Sequence, residues 1–351
     1  MNTPNNSMSK TEVETWLRET DPEKLAWLWS MADTTRLRHV GNTVHFRGLL
    51  EVSNYCVRRC TYCGINQDCN KVARYRMSEK EIMASVQKIL ESGCDTVVMQ
   101  AGEDYGLTRD FIAKIIQNIK NATSLAVTLS LGERSYQDLA AWKKAGVDRY
   151  LLRFETSDQE LYRRIHPALV MTELPLQRLE LLQKLHDLGY EVGSGVMVGI
   201  PGQTYQTLAN DIDYFHKLKL SMIGIGPYIV APETALGRGI VKITDVGVDQ
   251  IPATELMTLK AVALARLICP TANIPSTTAL ATIGGSNGRE LALQRGANVV
   301  MPNLTPKKYR QKYAIYPNKS GIDATVDNSM IKFRERIKLL GREIHCLDRH
   351  I

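Results

Sequence analysis

The chain has 351 residues, 44% of them hydrophobic, and a formal charge of +7, enough to bury a large core and too apolar for general disorder. Lys and Arg alternate with acids, as in EKEIMASVQK, and form no basic arm; nucleic-acid binding is not implied, while an anionic small substrate or an acidic partner protein fits. No run approaches the roughly 18 to 20 uncharged apolar residues of a membrane span, and MNTPNNSMSK lacks the apolar core of a secretory signal, so no membrane partner and a cytoplasmic location are expected.

Residues 1 to about 40 read as helices. From Val44 onward short apolar runs alternate with amphipathic stretches, the pattern of repeated βα units and a parallel sheet. Strands are predicted over 44–52, 95–101, 125–131, 148–155, 190–199, 222–230, 273–280 and 298–302. Eight such units predict an α/β fold, a (βα)8 TIM-type barrel. Between the strands Ser78 with Glu81, Ser135 with Asp138, and Ser157 with Glu160 have the spacing of helix starts, and Gly93, Gly146 and Gly189 that of helix ends. The organisation predicted is a helical segment over 1–43, a barrel over 44–302 and an extension over 303–351 that completes the barrel end. In such a barrel the loops after the strands build the active site. That rule gathers 54–70, 102–104, 130–133, 153–156, 199–203 and 277–278 around one mouth.

Seven cysteines are an odd number: Cys56, Cys60 and Cys63 crowd into eight residues, and Cys69, Cys94, Cys269 and Cys346 are scattered. Paired disulfides would distribute them otherwise, so a reducing compartment and a metal site fit better. The loop SNYCVRRCTYCGINQDCN places the three in C-x3-C-x2-C spacing after the first strand. Three thiolates can hold three irons of a 4Fe-4S cluster and leave the fourth iron for a non-protein ligand. A structural zinc site is the competing reading, but zinc takes four closed ligands, and Cys69 reads as an incidental loop thiol.

The C-x3-C-x2-C motif, with Tyr62 before its last cysteine, resembles the radical S-adenosylmethionine (SAM) superfamily. That resemblance implies a 4Fe-4S cluster and SAM as cofactors, and reductive cleavage of SAM to a 5′-deoxyadenosyl radical. Other segments extend it. Gly102 and Glu103 match a Gly-Glu element in which glycine permits close backbone approach and the carboxylate can accept from an ammonium. Arg153 and Glu155 stand on alternate, same-side positions, where Glu155 resembles a SAM-contacting carboxylate and a mutual ion pair is the plainer reading. Arg178 opens RLELLQKLHDLG and can bind a carboxylate in bidentate fashion, or merely face solvent. Gly199-Ile200-Pro201-Gly202-Gln203 resembles a positioning turn beside the adenine.

Read together, RYRMSEKEI, VVMQAGED, VTLSLGE, DRYLLRFET, GSGVMVGIPGQT, IGIGPYI, NIPSTTAL, GANVVMPNLTP and YRQKYAIYP resemble the HydE family of FeFe-hydrogenase maturases over 44–317. The resemblance implies an organometallic iron substrate, an iron-carbonyl-cyanide-cysteine species, in assembly of the two-iron part of the H-cluster. It implies other hydrogenase maturases and a reductant protein as partners. By local motif it carries Tyr62, Gln100, Gly102, Glu103, Ser130, Arg153, Glu155, Arg178, Met197, Tyr228 and Ile229 as cofactor contacts, and Thr128, Arg149, Thr277, Thr278, Met301, Tyr313 and Tyr316 as substrate contacts. Hydroxyls there can orient an anionic ligand, whereas plainer readings have the threonines capping strands and the methionines filling the barrel. The alternative is a radical SAM mutase or synthase of the methylornithine synthase or biotin synthase type, though Cys94 and Cys269 lack the additional-cluster pattern of biotin synthase. Some family members hold a second cluster near the C-terminus; here only Cys346 lies in that stretch, and one cluster is expected. Phe154, bulky beside Arg153, departs from the pattern.

Overall fold

A computed structural model describes residues 8–168, 178–322 and 326–345. Its strands are β1 (Thr43–Ser53), β2 (Thr96–Ala101), β3 (Ala126–Ser130), β4 (Arg149–Leu151), β5 (Glu191–Val198), β6 (Met222–Pro227), β7 (Pro275–Ser276), β8 (Val299–Val300) and β9 (Glu343–His345). The first eight are parallel, in spatial order β6-β5-β4-β3-β2-β1-β8-β7. Between β6 and β7 a parallel bridge, Met222 to Asn273, draws the two ends of the order together into a nearly closed (βα)8 barrel.

Alternation along each strand decides what faces inward. On β1 the odd positions Leu49 and Glu51 face the barrel interior, whereas a side chain at Gly48 would collide with Ile89 and Leu304 outside it. The surrounding helices bury one stripe each: Ile112, Ile115, Ile116 and Ile119 of Arg109–Ala122 are fully buried. Their starts are chemically fixed. Ser78 accepts from the Glu81 N–H while the Glu81 carboxylate accepts from the Ser78 N–H, a reciprocal cap that stabilises the helix Glu79–Glu91 by about 1 kcal/mol. Ser135 caps Tyr136–Ala145, and Gly146 ends it in the left-handed region at φ 111°.

The N-terminal helices Lys10–Arg18 and Pro22–Val40 form as expected and pack against the helices Tyr205–Lys217 and Glu255–Ile268. Other expectations need correction. The helix Gln159–Ile165 is capped by Asp158, because Ser157 spends both its N–H and its hydroxyl on Asp211. β4 ends at Leu151, four residues early, and Glu155 takes a φ of 64°. β7 is two residues long because Thr277 leaves the sheet to cap the helix Thr278–Ile283. β9, unforeseen, pairs with β1 at Thr43–His45. No helix among the described residues is long and apolar enough to cross a membrane.

Candidate active site

The strands' C-terminal ends open into a cavity of about 350 Å³. Cys56, Cys60 and Cys63 line one side of it, on the loop that follows β1. That loop is held by Gly102: a Cβ there would stand 2.2 Å from the Tyr55 carbonyl oxygen and 2.8 Å from the Cys56 Cβ, so only glycine lets β2 end against the cysteine loop. Val57 N–H donates to the Glu103 carbonyl at 3.0 Å, fixing the same approach. Burial raises all three thiols, Cys63 to about 12 and Cys60 well above its ordinary value. Metal binding must therefore release protons here.

The spacing of the three sulfurs bears on the metal. Thiolates around a single zinc, with Zn–S bonds of about 2.3 Å, stand roughly 3.8 Å apart. Among the described residues, the only three His, Cys, Asp or Glu side chains with ligand atoms all within 4.8 Å of one another lie elsewhere, so these sulfurs are spread more widely. A cubane, with each thiolate on a different iron, does not require the sulfurs to be so close. Cys69 does not join them: its Sγ reaches the Cys63 carbonyl at 3.9 Å, outside the cavity lining. Cys346 lies outside the described residues, and with it the reading of its stretch.

Behind the cysteines runs a buried ionic chain. Arg58, between two of the cysteines in sequence, donates to Glu103 at 2.8 Å and Glu133 at 2.5 Å, and Glu133 also accepts from Arg178 at 2.9 Å. Arg178 further donates to the Arg153 carbonyl at 2.6 Å and to His166 Nε2 at 2.5 Å. Burial, reinforced by Arg178 and Arg58, keeps His166 far below the usual imidazole range, so its Nε2 is an acceptor. Glu103 accepts from Arg58, Tyr105 and the Glu133 N–H. Its carboxylate thus organises the loop, whatever its backbone contacts.

Every other expected site residue but two lines the same cavity: Tyr62, Gln100, Ser130, Arg153, Glu155, Met197, Tyr228, Ile229, Thr277, Thr278, Met301, Tyr313 and Tyr316, with Gly102, Glu103 and Arg178. Arg153 and Glu155 stand 3.1 Å apart as an ion pair without hydrogen-bond alignment. Glu155 Oε2 and Arg153 Nε are buried and make no hydrogen bond within the protein, the condition of groups awaiting a polar ligand. Thr128 and Arg149 are the exceptions. They are register partners on β3 and β4, and share the inward face with Ser130, Leu151 and Arg153, but one layer nearer the strands' N-terminal ends. Arg149 donates there to Glu191 at 2.6 Å, which takes it away from the cavity.

Phe154 points outward, against Tyr214 and Phe215, and leaves the pocket unaltered. The Gly199–Gln203 turn supports from behind: Gln203 accepts from the Gly199 and Ile200 N–H groups and donates to the Met197 carbonyl and Asp211. Sequence reasoning missed Glu51 and Lys319, a buried ion pair in the cavity wall. An acid directly after the apolar pair Leu49-Leu50, near the C-terminal end of the strand VHFRGLLEV, was the available signal.

The radical SAM superfamily profile matches residues 50–215. Over 316 residues, 90% of this chain and 86% of the other, the sequence is 40% identical to the [FeFe] hydrogenase maturase subunit HydE of Thermotoga maritima. The chain belongs to the HydE family of radical SAM enzymes. Solved structures share its fold. Methylornithine synthase (PylB) superposes with a TM-score of 0.78 at 21% identity, covering 97% of this chain and 95% of that one. The FeFe-hydrogenase maturase HydG from Carboxydothermus hydrogenoformans gives 0.78 at 19% identity, covering 97% and 77%.

As a HydE-family enzyme the protein uses a 4Fe-4S cluster and SAM, which when bound supply a one-electron cleavage of the sulfonium. The residues present fit that pair: three spread sulfurs on a glycine-cradled loop, and unbonded buried polar atoms of Arg153 and Glu155 facing the same space.

Proposed function

We propose that the protein is a hydrogenase maturase that works in the cytoplasm on a small organometallic iron substrate during assembly of the two-iron part of the FeFe-hydrogenase H-cluster. In this reading it acts with other hydrogenase maturases and a reductant protein, and residues 44–302 form the catalytic barrel, flanked by a helical segment at 1–43 and by 303–351 closing the barrel end. The observation that carries it is the 40% identity to a HydE spread over 90% of the chain.

Within the cavity, Cys56, Cys60 and Cys63 hold the cluster, and Arg178, Arg153 and Glu155 with Ser130 and Gln100 hold SAM. Tyr62, Met197, Tyr228 and Ile229 provide its apolar walls. Thr277, Thr278, Met301, Tyr313 and Tyr316 receive the substrate from the opposite side. Two hydroxyls and two phenols with one thioether suit a compact polar ligand carrying metal-bound acceptors. The test is an anaerobic activation of apo-hydrogenase with the other maturases, with and without this protein. Activation that depends on it supports the reading. Activation independent of it, with methylornithine formed in a SAM-dependent reaction of this protein, would place the enzyme with the methylornithine synthases instead.

A further inference from the structure

The opposite end of the barrel carries a second convergence of side chains. β9 lies beside β1 with His345 in register with His45, and their rings sit 4.9 Å apart. Asp95, just before β2, is fixed by its N–H to the Phe46 carbonyl at 3.0 Å. Its Oδ2 thereby stands 3.0 Å from His45 Nδ1 and 3.9 Å from His345 Nε2. One ligand atom from each residue lies within 4.8 Å of the others.

We propose that His45, Asp95 and His345 bind one divalent transition-metal ion of the zinc class, and that this ion ties β9 to the base of the barrel. Two imidazoles and one carboxylate are a donor set for zinc and its neighbours, not for magnesium or calcium, which take oxygen donors. Ligand atoms on a tetrahedral zinc, with bonds of about 2.0 to 2.1 Å, stand roughly 3.4 Å apart. The two separations from Asp95 Oδ2, 3.0 and 3.9 Å, bracket that value, and the third lies within 4.8 Å. Asp95 is oriented as a ligand should be: its other oxygen, Oδ1, accepts from Thr96 Oγ1 at 2.6 Å, which leaves Oδ2 for the ion. Side-chain exposures of 28%, 11% and 45% give an ion access and leave room for water as the fourth ligand.

The arrangement also has something to hold. β9 is three residues long and, among the described residues, pairs with β1 alone, while the ligands come from three segments far apart in sequence, so one ion would cross-link the chain's C-terminal part to the first strand. A hydrogen-bonded Asp95–His45 pair with a second imidazole beside it is the alternative use of the same residues.

The test uses cluster-loaded full-length protein, in which Cys56, Cys60 and Cys63 are already occupied, dialysed anaerobically against zinc alone. Wild type should retain one zinc per chain with a nitrogen and oxygen shell by zinc X-ray absorption, at about 2.0 to 2.1 Å and not the 2.3 Å of sulfur. His345→Gln and His45→Gln should each weaken retention at least tenfold, and zinc should slow amide exchange at 343–345 in wild type only. SAM cleavage by His345→Gln, unchanged from wild type, certifies its fold. Equal zinc uptake by wild type and both variants, or a sulfur shell, would overturn the site. Zinc uptake without slowed exchange would overturn the role assigned to it.

Discussion

Replacing Arg58 by Met removes the cation shared by two carboxylates at the cluster loop. Arg58, Glu103 and Glu133 have side-chain exposures of only 7%, 3% and 7%, so solvent screens them little. Taking one partner from a buried ion pair costs about 3–5 kcal/mol, because the remaining charge is left uncompensated. Arg178 still neutralises Glu133, which places Arg58→Met at the lower end, about 3 kcal/mol. Adding Glu103→Gln removes the stranded charge and should recover roughly 1 kcal/mol or more, a coupling typical of residues in direct contact. The loop carrying Cys56 and Cys60 loosens at the same time, so iron incorporated per chain should fall in the single variant. Anaerobic urea titrations of wild type, both single variants and the double variant measure the cycle. Strict additivity, or a loss under 1 kcal/mol for Arg58→Met, would refute the claim that this chain of charges organises the cysteine loop.

Gly102→Ala should leave secondary structure intact yet lower 5′-deoxyadenosine formation by about a hundredfold, since relieving a 2.2 Å contact with Tyr55 must move the Cys56 segment by close to an ångström; a rate within threefold of wild type would remove Gly102 from the account. Cys69→Ser should incorporate as much iron and cleave SAM as fast as wild type, checked by iron analysis and product chromatography. Asp211 gives a pH prediction: burial pushes its carboxyl up to about 7, against the bonds from Ser157 and Gln203. An acid whose folded value is raised binds its proton more tightly when folded, so its contribution to stability is full in acid and falls as pH rises from about 4 to 7, by at most about 1.4 kcal/mol per pH unit. The stability of wild type minus that of Asp211→Asn, by urea unfolding from pH 4.5 to 8, should therefore decline with pH; a flat or rising difference would contradict it.

The parallel barrel was legible because eight apolar runs alternate with capped helices, and a strand buried on both faces reads as a short, nearly continuous apolar run. The cysteine loop was legible from spacing alone. What sequence obscured was depth: Ser130 and Thr128 share one face, as do Arg153 and Arg149, and nothing in alternation says which layer meets the cavity. Partner competition was equally hidden. Ser157 has the spacing of a helix cap but is drawn off by Asp211, fifty-four residues away, so Asp158 caps instead. The short strand Glu343–His345 carries too little pattern to announce itself, and its place beside β1 is set by tertiary packing.

The most direct test is electron paramagnetic resonance of anaerobically reconstituted, dithionite-reduced protein before and after SAM is added. A reduced cubane signal that changes shape on SAM addition, in wild type and not in Cys60→Ala, is the expected result. A spectrum without cubane iron, or one indifferent to SAM, would contradict the assignment of Cys56, Cys60 and Cys63 as a three-thiolate site with one iron left open.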